Sequence, residues 1–271
     1  MDLSRPRVMG IINVTPDSFY KGSRFLHQSD MMEAVSRMIA DGADIIDVGG
    51  YSSRPGAEDI TAGEEGERVL GAVKLIRKEF PYTVISIDTF RADIAGEAVE
   101  ECGADMINDI SGGEADAGMF PLVARLNVPY VMMHMKGNPG TMQNNPVYDD
   151  VVAELLSWFG ERIYRLHSSG VKDLIIDPGF GFGKTIKHNF EILDNLGDFS
   201  IAGLPLMVGL SRKSMIWKTL EITPEDSLNG TIVLNTVALL KGADVLRVHD
   251  VKEAVQAIRL TEPLRKKEMF D

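Results

Sequence analysis

The chain is expected to form one (β/α)8 barrel over residues 1–271, an α/β TIM barrel whose ligand site lies at the carboxyl ends of its strands. Three features lead there. Short apolar runs alternate with longer amphipathic stretches from end to end. A glycine–polar–apolar junction recurs. Eight such units in 271 residues leave about 34 residues each, near the average for a barrel of about 250.

The apolar runs fall at 8–13, 45–49, 84–88, 106–110, 128–133, 174–177, 206–209 and 245–248. They are apolar at successive positions, as parallel strands covered on both faces are. The stretches between them have helical spacing. After the third run, Thr89 is placed to cap a helix carrying Ile94, Ala98 and Cys102 on one face. After the fifth, Asp149 or Asp150 precedes Val151, Leu155, Phe159, Ile163 and Leu166. Before the eighth, Thr223-Pro224 offers a cap and a first-turn proline ahead of Leu228, Ile232 and Leu239.

The junction is written three times, as Gly42-Ala-Asp, Gly103-Ala-Asp and Gly242-Ala-Asp, with Gly170-Val-Lys-Asp as a looser fourth. Glycine ends the helix, a polar step follows, and a strand begins. No proline-rich or low-complexity linker interrupts the pattern, so a single domain is expected. An open doubly wound sheet fits less well: it usually has fewer strands, and no G-x-G-x-x-G follows the first run.

Charge limits the partners. With 28 basic and 40 acidic residues the net charge is −12, contrary to the basic face that nucleic-acid binding and anionic membranes require. A small anionic ligand remains possible where a few cations gather. The lone cysteine, Cys102, excludes internal disulfides and reads as a buried apolar residue. No apolar run approaches the ~18 residues of a membrane span, and residues 1–7 lack a signal-peptide core. The expected setting is the cytoplasm.

Polar side chains gather at the ends of the runs: Asn13, Asp47, Asp88, Asn108 with Asp109, His134, Asp177, then Ser211-Arg212-Lys213, and Arg247 with His249. Any single Asp or Asn there could merely stabilise a turn. All eight ends carrying such residues, with Lys, Arg and His among them, points to one polar mouth. His27, His167 and His188 have no companions and read as surface residues.

Seven blocks in family order carry a resemblance. They are Met9-Gly-Ile-Ile-Asn-Val-Thr-Pro-Asp-Ser-Phe19, Asp47-Val-Gly-Gly-Tyr-Ser-Ser-Arg-Pro-Gly-Ala57, Ser86-Ile-Asp-Thr89, Ile107-Asn-Asp-Ile-Ser-Gly112, Asp177-Pro-Gly-Phe-Gly-Phe-Gly-Lys184, Gly209-Leu-Ser-Arg-Lys-Ser214 and Arg247-Val-His-Asp250. With them the chain resembles the dihydropteroate synthases of the pterin-binding family. Position 53 is serine where many members have threonine, and Tyr-Lys-Gly-Ser-Arg follows Phe19 in place of the commoner acidic and glycine-rich run.

The resemblance implies an enzyme that condenses 6-hydroxymethyl-7,8-dihydropterin pyrophosphate with p-aminobenzoate, releasing pyrophosphate. It implies pterin contacts from Asp88, Asn108, Met132, Asp177, Gly209 and Lys213. It implies pyrophosphate contacts from Asn13, Arg54, Arg247, Val248 and His249, with Mg2+ at Asn13. It implies a p-aminobenzoate and sulfonamide pocket of Ser53, Pro55, Phe182, Lys213 and Ser214. Asn13, Arg54, Lys213, Arg247 and His249 would carry the chemistry. The loops 14–25 and 51–56 would close over bound pyrophosphate. A homodimer is also implied, with the apolar stretch 228–240 able to serve as interface or as core. Two other readings stay open: a methyltetrahydrofolate-dependent corrinoid methyltransferase of the same superfamily, and a pterin-binding barrel without catalysis. The methyltransferase would not need Arg54-Pro55 or Arg247-x-His249 for pyrophosphate, and turnover separates the synthase from the silent barrel.

Overall fold

In a computed structural model, the chain is described over residues 2–14, 24–52, 59–138, 140, 142 and 145–265, without the side chains of 24–27. Among these residues eight parallel strands close into a barrel. They are β1 (Arg7–Asn13), β2 (Ile45–Gly49), β3 (Val84–Asp88), β4 (Met106–Asp109), β5 (Tyr130–Met133), β6 (Leu174–Asp177), β7 (Met207–Val208) and β8 (Val245–Val248), in the spatial order β6-β5-β4-β3-β2-β1-β8-β7. A single parallel bridge, Ile176 to Leu206, joins β6 to the start of β7 and closes the ring. The helices between strands are α1 (Arg24–Ala40), α2 (Ala62–Glu79), α3 (Ala92–Glu100), α4 (Met119–Leu126), α5 (Val151–Ser168) and α6 (Ile186–Asp194). Two, α7 (Ser214–Leu220) and α8 (Leu228–Leu240), lie between β7 and β8, and α9 (Val251–Thr261) follows the last strand.

The recurring junction works as its sequence suggests. Gly42, Gly103, Gly170 and Gly242 all have left-handed backbone, with φ between 85° and 105°. The aspartate two residues later has a shared task. Asp44 accepts from Val8 N at 2.9 Å, Asp105 from Ile85 N at 2.8 Å and Asp244 from Leu206 N at 3.0 Å, each holding an amide where a neighbouring strand starts. Arg7, Arg77 and Arg265 pair with the same three carboxylates.

Strand alternation sorts the core into layers. Met9, Ile45, Met106, Val131, Ile175, Met207 and Val245 plug the barrel floor. The residues of opposite parity, among them Val8, Ile46, Ile87, Ile107, Met132, Ile176 and Val248, pack outward against the helices. Two steps above the floor, inward positions turn polar: Asp47, Asp88, Asn108, Asp177 and Arg247.

Several boundaries differ from expectation. The fifth strand begins at Tyr130, not 128, because Pro129 has no N–H to give a ladder. The seventh shrinks to Met207–Val208. Thr89 does not cap α3. It donates to the buried Glu65 at 2.6 Å, and α3 starts after Arg91 with no side-chain cap. Thr223 caps only a local turn through Asp226 N, and α8 begins at Leu228 after Ser227. Asp150 caps α5, accepting from Ala153 N at 3.0 Å.

Candidate functional site

One buried carboxylate organises the mouth. Asp47 Oδ2 accepts from Arg247 Nε at 2.7 Å and from Asn108 Nδ2 at 3.1 Å. Arg247 Nη2 reaches across to Asp88 Oδ2 at 2.5 Å. Strands β2, β3, β4 and β8 are thereby tied through side chains as well as through their ladders. Gly49 lies against Asp88, where a Cβ would come within 3.3 Å of Oδ2. Asp47 Oδ1 and Ser86 Oγ are buried without a protein partner among the described residues, so the inner wall keeps unsatisfied polar atoms.

Electrostatics at the mouth is set by burial and by mixed charge. Burial pushes the Asp88 carboxyl up to about 7 against the pull of Arg247, and Asp47 adds to the rise. Burial also raises Asp177, opposed by the Gly179 amide, Lys213 and Arg247. Lys213 is lowered to about 8 by burial and by Arg247. Burial works against the Arg247 charge too, yet Asp47 and Asp88 hold its guanidinium above its ordinary value.

Asp177 ends β6 and accepts from Gly179 N at 2.7 Å. Phe182, in the glycine loop that follows, is buried with Ile110, Met133, Met135 and Met142, and Lys213 Nζ lies 4.2 Å from its ring centroid. Ser214 opens α7 beside Lys213 and is half-buried. Gly209 follows β7, and a Cβ there would meet nothing within 4 Å, so the space in front of it is open. Asn13, at the end of β1, is exposed. His249 is exposed after β8, its Nδ1 3.1 Å from Ser211 Oγ. Partial desolvation, then the Arg247 charge, lowers its pKa to about 4, so at neutral pH it is uncharged and offers an N–H.

Two expected contacts face the wrong way. Met132 aligns with Asp109 and Ile176 and is buried in the outer layer. Met133, aligned with Asp177, takes the inward position and the apolar wall assigned to Met132. Val248 also turns outward, so its side chain faces helices and not the mouth. The same parity separates Asn108 from Asp109. The first points inward; the second is a loop staple, accepting from Ser111 N, Ser111 Oγ, Gly113 N and Tyr130 OH at 2.7–2.8 Å. Counting inward positions from Asp177 across the ladder would have found Met133. Nothing in the sequence flagged Ser211 as the partner of His249. Ser53, Arg54 and Pro55, and residues 15–23 of the first loop, lie outside the described residues.

Comparison with known proteins agrees with this geometry. The profile of the pterin binding enzyme family matches residues 9–249. The dihydropteroate synthase of Escherichia coli (strain K12) is 44% identical over 264 residues, covering 97% of this chain and 93% of that protein. That of Bacillus subtilis (strain 168) is 38% identical, covering 96% and 89%. Among solved structures, Yersinia pestis dihydropteroate synthase in a sulfonamide drug complex superposes with a TM-score of 0.91 at 39% identity, covering 98% of this chain and 96% of that one. The Xanthomonas albilineans dihydropteroate synthase in complex with 7,8-dihydropteroate gives 0.86 at 36% identity, covering 98% and 96%.

Proposed function

The chain belongs to the pterin-binding enzyme family and acts as its dihydropteroate synthases do; we propose how the barrel mouth divides that work. The observation that carries the reading is the network in which Asp47 joins Asn108 to Arg247 and Arg247 in turn bonds Asp88, with Asp177 and Lys213 at the same mouth. It sets acceptors for a ring edge beside cations for a leaving anion.

Asp177 takes the paired N–H donors of the pterin's amino-pyrimidinone edge, while Asn108 and Asp88 complete the ring contacts. Lys213 donates to the ring carbonyl, and Met133 forms the apolar wall. A wrong ring leaves buried polar groups unpaired, which is the basis of selection. Breaking the bond to pyrophosphate leaves a cation at the methylene carbon that the dihydropterin ring delocalises. Arg247 and Arg54 hold the departing anion by charge, and His249 holds it by its N–H. The p-aminobenzoate amine attacks as the neutral species, then sheds its proton to solvent. Phe182, Lys213, Ser214, Ser53 and Pro55 form its pocket.

Mg2+ suits this chemistry by neutralising the pyrophosphate. Asn13 offers one hard oxygen at the exposed mouth, and the phosphates and water would supply the remaining ligands.

The reading extends to a homodimer in the cytoplasm. Helix α8 is apolar on nearly every side, yet Val233 and Leu240 are about half exposed, as is Leu220 of α7. The lone cysteine is free and buried, as suits a reducing compartment. Among the described residues no helix is long and apolar enough to cross a membrane.

The direct test mixes dihydropterin pyrophosphate, p-aminobenzoate and Mg2+ with the protein. Stoichiometric release of pyrophosphate and dihydropteroate is expected. Pterin binding without turnover would leave only a binding barrel.

A further inference from the structure

Lys184 closes the glycine loop after β6, and its position is unusual. The residue is 3% exposed, and among the described residues no carboxylate lies within ion-pair distance of its ammonium. Charging a buried amine with no counter-ion is costly, burial lowers its pKa to about 7, and an apolar side chain would serve stability better. What surrounds it is a cage of acceptors. Lys184 Nζ donates to Phe182 O at 3.0 Å, Gly179 O at 3.1 Å and His134 O at 3.2 Å, with His134 Nδ1 at 2.9 Å. His134, kept neutral by burial and by the lysine itself, is suited to accept there.

The loop needs such a fixture. Gly179, Gly181 and Gly183 all have positive φ, between 63° and 82°, so its backbone has much freedom to lose. Tyr148 OH donates to Gly183 O at 2.9 Å, and Asn189 Oδ1 accepts from Gly181 N at 2.7 Å. Asp177 is secured separately, by the β5–β6 ladder beside Met133. Phe182 has no ladder, and its carbonyl is held by Lys184.

We propose that Lys184 is a positioning residue for the p-aminobenzoate side of the reaction, fixing from behind the loop the backbone of Phe182 and so the aromatic wall on which Lys213 rests. The role rests on the pocket assigned to Phe182 above. His134, which closes β5, becomes part of the same fixture.

Steady-state kinetics of Lys184→Met, Phe182→Leu and the double variant test this, with thermal unfolding recorded for each. Lys184→Met is expected to raise KM for p-aminobenzoate about tenfold and KM for the pterin pyrophosphate less than twofold. In the Phe182→Leu background the same change should add almost nothing, because the lysine acts through the ring. Equal rises for both substrates, or additive effects in the double variant, would overturn the inference and leave a general structural role. Phe182→Leu with an unaltered p-aminobenzoate KM would overturn the pocket itself. A rise for Phe182→Leu with none for Lys184→Met would overturn only the positioning role. If Lys184→Met does not fold, Tyr148→Phe removes the neighbouring support at Gly183. A rise of about threefold in the p-aminobenzoate KM alone is then expected, and no change would count against the inference.

Discussion

In the proposed site the Asp177 carboxylate would face the donor edge of the pterin, so Asp177→Asn would replace an acceptor with a third donor. A loss of about 2–4 kcal/mol in pterin affinity is expected, read by calorimetric titration with a pterin analogue. The two methionines at the end of β5 make a paired test of strand parity. Met132→Ala should lower stability by about 2–5 kcal/mol in denaturant unfolding and leave pterin binding intact, since its side chain fills the outer layer. Met133→Ala should weaken pterin binding by about 1–2 kcal/mol through lost apolar contact. His249 supplies the pH dependence. The free ring is lowered to about 4, and bound pyrophosphate offsets the Arg247, Arg212 and Lys213 charges that help to hold it there. Binding therefore raises its pKa, and from about pH 4 up to that raised value the complex takes up protons. Affinity for pyrophosphate should rise as pH falls through that window. Isothermal titration in buffers of different ionisation enthalpy should show the uptake, and His249→Asn should remove its share. The polar ends of the strands were legible in the sequence residue by residue. Their mutual wiring was not: that Asp47 joins Asn108 to Arg247 depends on residues 61 and 200 positions apart in the chain.

Elements were readable where local chemistry alone decides them. The Gly-Ala-Asp junctions needed no tertiary information, nor did an aspartate cap at 149 or 150, which the structure assigns to Asp150. Thr89 departs from the expected cap because the buried Glu65 of α2 competes for its hydroxyl, and β7 is shorter than its apolar run because only two of its residues find a ladder. The glycine loop shows how tightly a connection can be specified. A Cβ on Gly179 would stand 2.0 Å from His134 O, at a φ of +71°. Gly179→Ala should therefore cost at least about 2 kcal/mol from backbone strain and displaced contact together, seen as a lowered unfolding midpoint in urea. Gly203 also has positive φ, but a Cβ there would meet nothing within 4 Å, so Gly203→Ala should lose less.

At the level of the assembled barrel, the apolar surface of α7 and α8 is the feature that the monomer leaves unexplained. On the proposed homodimer, sedimentation velocity should show a dimer for the parent protein and a monomer for Val233→Asp with Leu240→Asp, with pterin binding retained because neither side chain lines the mouth. The closed ring was legible from the count of units, but its unevenness was not. One bridge, Ile176 to Leu206, stands where the other seven joints have ladders. Phe182 belongs to the bank that follows β6, and Lys213 to the bank that follows β7. An aromatic acid held against both would act as a keystone across the thinnest joint of the wall. The amide of Ile176, which donates to Pro205 O across that joint at 3.0 Å, should then exchange with deuterium more slowly when a sulfonamide is bound with pyrophosphate than with pterin alone. Substrate capture would thus tighten the wall at the place where the polypeptide itself supplies the least.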